Sequence, residues 1–104
     1  MTKEELFEKV LRERIQEAKA LIGYSFHLLL KAIDEDGAVP TARRLIGPSN
    51  SDTFSQGLKE LHAHGLLRYS VEQTVIDFVD KGYVFDASDK KAAEDKLRAV
   101  RLLA

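Results

Sequence analysis

The chain contains no cysteine. Disulfides, thiolate catalysis and cysteine-ligated zinc are thereby excluded, and a reducing compartment is the simplest setting. It also has no surplus of charge: sixteen basic against seventeen acidic residues give a formal net charge of −1. Strong non-specific binding to nucleic acid neutralises many phosphates, and a near-neutral chain has no global field to support that. Any such role must come from a local patch. Long apolar runs are missing too. The densest stretch, residues 18–33, is broken by Lys19, Gly23, His27 and Lys31, so it falls short of the ~20 apolar residues of a membrane span. The opening Met1-Thr2-Lys3-Glu4-Glu5 is charged, unlike the basic and then apolar start of a secretory signal. Together these absences predict a soluble cytoplasmic protein with no membrane partner.

Catalytic and metal-binding signatures are equally scarce. There is no G-x-S-x-G, no phosphate-cradling G-x-x-x-x-G-K-(S/T), no G-x-G-x-x-G and no H-E-x-x-H. Of the three histidines, His62 and His64 stand two apart, which on a helix points them to different faces. His27, on an apolar helix, reads as a semi-buried, hydrogen-bonded residue. The acidic run Asp34-Glu35-Asp36 before Gly37 fits a solvated helix end and lacks the spacing of a calcium loop. The expectation is a non-enzymatic protein without metal or cofactor.

What is present is helical periodicity. The 104 residues suit one domain, and 44% hydrophobic with 32% charged residues suits amphipathic helices around a single core. Phe7, Leu11, Ile15, Ala18 and Ile22 advance by fours and threes, one stripe of a first helix. That stripe serves a core or pairs with a second copy, so a homodimer through the N-terminal helix is open. Gly23 is a break or bend, and the alternative is one helix over residues 2–35, since a helical glycine costs only about 1 kcal/mol. A second helix, capped by Ser25 and stapled by Tyr24 on Leu29, carries Phe26, Leu28, Leu29, Leu30 and Ile33 on most sides. This predicts a place in the middle of the core.

Pro40 or Thr41 opens a short third helix over residues 42–46, closed by Gly47-Pro48. Ser49-Asn50-Ser51-Asp52 offers caps for a fourth helix running to about His64, with Gly65 as its left-handed cap and Leu66 set to touch Leu61. Leu67-Arg68-Tyr69 reads as an extended link. Ser70-Val71-Glu72-Gln73 matches a capping box for a fifth helix to about Val79, and Tyr83-Val84-Phe85 reads as a short extended piece. Asp86 or Ser88 caps a last helix with Ala93, Leu97 and Val100 on one face. The predicted fold is all-α, a compact single domain of five or six helices with a helix-turn-helix-like pair.

That pair lies in residues 39–70. A short helix, a turn and a longer helix that begins with small polar residues is the arrangement that enters a major groove N-terminus first. Ser51, Asp52, Thr53, Ser55, Gln56 and Lys59 are its early side chains. Ser55, Gln56 and Lys59 would face bases, while Arg43, Arg44 and Arg68 would position phosphates. Thr41-Ala42-Arg43-Arg44-Leu45-Ile46, followed by Leu58-Lys59-Glu60-Leu61-His62-Ala63-His64-Gly65-Leu66-Leu67, resembles the core of winged helix-turn-helix regulators. The resemblance implies a DNA-associated regulator, dimeric on double-stranded DNA. The stretch through Ser70-Val71-Glu72 is also similar to small bacterial proteins bearing T-A-R-R-L and G-R-L-D-L-(S/T)-V-E runs, a likeness that carries no chemistry with it. Two features depart from the regulators: the turn Gly47-Pro48-Ser49-Asn50-Ser51 is long, and a helical pattern follows Tyr69 where a wing should stand. The missing wing and the near-neutral charge favour the alternative, a protein–protein interaction module acting as adaptor, accessory subunit or inhibitor.

Overall fold

Thr2 starts the first helix by a reciprocal cap. Its hydroxyl accepts from the Glu5 N–H and the Glu5 carboxylate accepts from the Thr2 N–H, each at 3.1 Å. In the computed structural model, which describes residues 1–47, 55–81 and 84–102, helix α1 spans Lys3–Ile22. It stops at Gly23, whose left-handed backbone (φ 71°) lets its N–H close on the Lys19 carbonyl at 2.8 Å. Gly23 therefore breaks the chain into two helices, and the single long helix is ruled out.

Helix α2 covers His27–Asp36. Ser25 is not its cap. Phe26 takes that position with φ 52° and ψ 28°, and the Ser25 hydroxyl lies 3.1 Å from His27 Nδ1 instead. Tyr24 packs edge-on against Phe26, with ring centroids 4.8 Å apart. His27 is hydrogen-bonded but exposed, and Leu28 is 69% exposed. Ile33 is the one residue within α2 that is fully buried, so α2 lies along the rim rather than through the centre.

Gly37 alone (φ 90°) separates α2 from helix α3, Ala38–Ile46. The helix begins four residues before the predicted 42 because Pro40 falls in its first turn, where N–H groups have no intrahelical acceptor to lose. The Glu8 carboxylate accepts from the Ala38 N–H at 3.3 Å and places negative charge at that positive end. Helix α4 is Gln56–Ala63, with Ser55 as its cap. The caps expected at Ser49-Asn50-Ser51-Asp52 lie outside the described residues. Its far end is a Schellman turn: Gly65 (φ 69°) donates to the His62 carbonyl at 3.1 Å and Leu66 to the Leu61 carbonyl at 2.8 Å.

Leu67–Tyr69 form a 3₁₀ turn rather than an extended link. The Ser70 hydroxyl accepts from the Gln73 N–H at 3.0 Å and opens helix α5, Val71–Lys81. The Gln73 side chain reaches forward to Asp77 at 3.1 Å. Val84 and Phe85 are buried, and Tyr83 is outside the described residues. Asp86 and Asp89 form a second reciprocal cap on helix α6, Ala87–Arg101. No strand occurs among the described residues, and the fold is an all-α domain of six helices.

The α1 stripe is the centre of the core. Phe7, Leu11, Ile15 and Ala18 are all buried, and Phe7 meets Phe78 and Phe85 edge-on at 5.3 and 4.9 Å. Helix α6 packs along α5, and its Leu97 and Val100 join Leu58 of α4 in a smaller cluster. The stripe is thus used inside the chain. Of the large apolar side chains of α1, Leu6 and Leu21 are the exposed ones. Among the described residues no helix is long and apolar enough to cross a membrane.

Candidate binding cleft

Of the six residues predicted to contact DNA, five make contacts within the chain. Arg43 donates to the Val84 carbonyl at 2.8 Å and lies 5.6 Å from the Phe85 ring centroid. Arg68 sits 4.8 Å over the Tyr69 ring, on a shallow depression bordered by Glu13, Glu17 and Asp77 of α1 and α5. Arg44 holds Asp36 with two 3.2 Å contacts, Ser55 accepts from the Leu58 N–H at 3.1 Å, and Gln56 donates to Glu60 at 3.0 Å. Lys59 is exposed on the same helix. Ser51, Asp52 and Thr53 lie outside the described residues. Helix α3 ends at Ile46 and α4 begins at Gln56, and residues 48–54 between them lie outside the described residues.

Arg44, Ser55 and Gln56 share the wall of a half-enclosed, largely apolar cleft of about 200 Å³. Leu28 and Leu29 of α2, Thr41 and Leu45 of α3, Gly57 and Leu58 of α4, and Val71 and Glu72 of α5 are among its other lining residues, with Tyr24 and Phe26 on the α1–α2 corner. Several features that lower stability on their own converge here. Phe26 is the one non-glycine residue with positive φ among those described, a conformation that costs about 1–3 kcal/mol. It is tolerated because the ring is buried, meets Tyr24 edge-on and lies against α4 at Gly57. A Cβ at Gly57 would come within 3.0 Å of the Phe26 ring. Gly57 thus allows the close approach of an aromatic side chain.

Thr41 lies in the wall with 2% exposure, and its hydroxyl has no hydrogen-bond partner among the described residues. Buried polar groups are ordinarily satisfied, and one left alone forfeits about 1–3 kcal/mol. Beside it, Glu72 and Lys96 form a buried ion pair at 3.7 Å, with side-chain exposures of 4% and 3%. Lys96 also donates to the Leu45 carbonyl. Both charges sit where helix ends favour them: Glu72 in the first turn of α5, Lys96 against the last turn of α3. Burial pushes the Glu72 carboxyl above its ordinary range, while the Lys96 ammonium pulls it back.

In the sequence, Thr41 reads as a candidate helix opener and Glu72 as part of a cap, and Lys96 stands in no motif. A usable signal was present. Lys96 falls between Ala93, Leu97 and Val100, and Glu72 between Val71 and Val75, each a charge on an apolar stripe.

Chemically the cleft offers a half-enclosed, largely apolar surface, with the charge-paired Glu72 and the buried Thr41 hydroxyl, unpartnered among the described residues, in its wall. No group of three or more histidines, aspartates or glutamates able to hold a metal occurs among the described residues. Compared with protein-family models, curated proteins and solved structures, the chain matches none.

Proposed function

We propose that this chain is a non-catalytic binding module whose ligand is a small, mostly apolar molecule held in the cleft between α2, α3 and α4. One observation carries the reading. A strained Phe26, a close-packed Gly57, an unsatisfied Thr41 and Glu72, one partner of a buried charge pair, all line one concave site. Strain and unpaired polar groups concentrate where a site is shaped for something other than stability. A largely apolar cleft with few convergent polar groups is also the usual form of a small-molecule site.

The test is a titration of the ¹⁵N-labelled protein with small neutral aromatics, read from amide shifts. Saturable shifts centred on Thr41, Leu45, Gly57 and Glu72 are expected. Their absence at millimolar ligand retires the reading.

Duplex DNA is the second reading, favoured by Gln56 and Lys59 standing together on the exposed side of α4. It predicts micromolar binding in fluorescence anisotropy that weakens steeply with salt and falls when Arg44, Gln56 and Lys59 are replaced by alanine. Absence of binding at low salt removes it.

A further inference from the structure

Resting on that reading, we infer that the cleft takes an uncharged ligand the size of one ring, and that Leu28 at its mouth is the apolar side chain the ligand covers. Size sets the first limit. A cavity of about 150 Å³ lined by apolar side chains accommodates benzene, so about 200 Å³ suits one ring with small substituents.

Charge sets the second. Among the described residues, Arg44 and Glu72 are the charged side chains in the wall, and each already has a partner of opposite sign. Arg44 is held by Asp36 at 3.2 Å and Glu72 by Lys96 at 3.7 Å. Each pair is neutral as a whole, so a bound cation and a bound anion meet the same situation. Neither finds a free counter-charge, and both give up water to apolar walls. An ion loses more in that exchange than a neutral molecule of the same shape.

Leu28 marks the seat. Its side chain lines the cleft yet is 69% exposed, whereas Phe26 and Leu58 of the same wall are buried. Leu28 therefore adds little to the stability of the free chain, and a ligand entering the cleft takes it out of water. A single exposed leucine needs no explanation in itself, and Leu21, 60% exposed on α1 and outside the cleft, is of that kind. The half-enclosed apolar wall beside Leu28 separates the two.

The experiment compares toluene, benzoate and benzylammonium near neutral pH by the same amide-shift titration, on the natural chain and on Leu28→Ala and Leu21→Ala. Toluene should bind about tenfold more tightly than either ion. Leu28→Ala should weaken toluene by about three- to tenfold and leave the urea midpoint in place, because truncating an exposed side chain barely touches stability. Leu21→Ala should change neither.

Benzoate binding as tightly as toluene would mean that Arg44 is free to pair, and benzylammonium doing so would mean the same of Glu72; either overturns the uncharged ligand. An unchanged toluene affinity in Leu28→Ala, or an equal loss in Leu21→Ala, overturns the role of Leu28 while leaving the cleft as a binding site. Failure of every probe to saturate removes the cleft reading itself. N-acetylphenylalaninamide carries the toluene ring on a peptide unit. Weaker binding than toluene keeps the ligand a free molecule, and tighter binding overturns that by moving the ring to a partner's phenylalanine.

Discussion

At the scale of single residues, the Glu72–Lys96 pair is the clearest conflict between burial and charge. Desolvation raises the folded carboxyl above its ordinary 4.5, and Lys96 opposes the rise without cancelling it. A carboxyl raised on folding contributes stability below 4.5, and that contribution is lost as pH climbs through the folded value. Glu72→Gln keeps the neutral form at every pH. Urea unfolding of both proteins between pH 4 and pH 8 should therefore drift in favour of the variant as pH rises, since titrations elsewhere in the chain are common to both. The opposite drift would mean that Lys96 outweighs burial. Removing the cation is the harsher change. Lys96→Met strands a buried carboxylate and loses the contact to the Leu45 carbonyl, and near neutral pH it should destabilise by about 3–5 kcal/mol.

At the scale of elements, two glycines in and after α4 separate shape from strain. Gly65 has φ 69° and open space around it, so Gly65→Ala should cost about 1–2 kcal/mol of backbone strain and leave ligand binding unchanged. Gly57 has ordinary backbone but no room: its Cβ would press on Phe26, which Tyr24 and a positive φ hold in place. Overpacking of this kind costs about 1–3 kcal/mol, partly offset by the helical gain of alanine. Gly57→Ala should therefore lose about 1 kcal/mol in urea unfolding and also weaken binding of small aromatics.

The same contrast explains what was legible in the sequence. The α1 stripe, the Gly23 break and the Gly65 turn are local patterns, and each stands where its periodicity or its glycine placed it. The extent of α3 turned on which first-turn position Pro40 occupies, which sequence did not fix. The rim position of α2 follows from α1 and α5 having already filled the core. The cleft itself joins residues as far apart as Tyr24, Thr41, Gly57 and Glu72, a contact that no local spacing encodes. For the same reason the ring contacts of Arg43 with Phe85 and of Arg68 with Tyr69 could not be read from the segment that carries the two arginines.

At the scale of the whole molecule, α1 decides whether there is a domain at all. Its Phe7 touches aromatic side chains from α5 and from the segment before α6, so one ring holds together the two ends of the chain. Arg14 adds a second tie across the same boundary, donating to Thr74 at 3.0 Å and pairing with Asp77 at 2.7 Å. Truncating a buried phenylalanine costs about 3–5 kcal/mol through lost transfer energy and the cavity left behind. Domains of this size are stable by only about 5–15 kcal/mol. Phe7→Ala should therefore remove a large share of the total and lower the urea midpoint without changing the slope. Arg14→Ala, which removes a partly exposed tie, should cost far less. A Phe7→Ala protein as stable as its parent would mean that α1 is an appendage. Its stripe would then be available to a second copy of the chain, and sedimentation of both proteins across a concentration series would show whether such a pair forms.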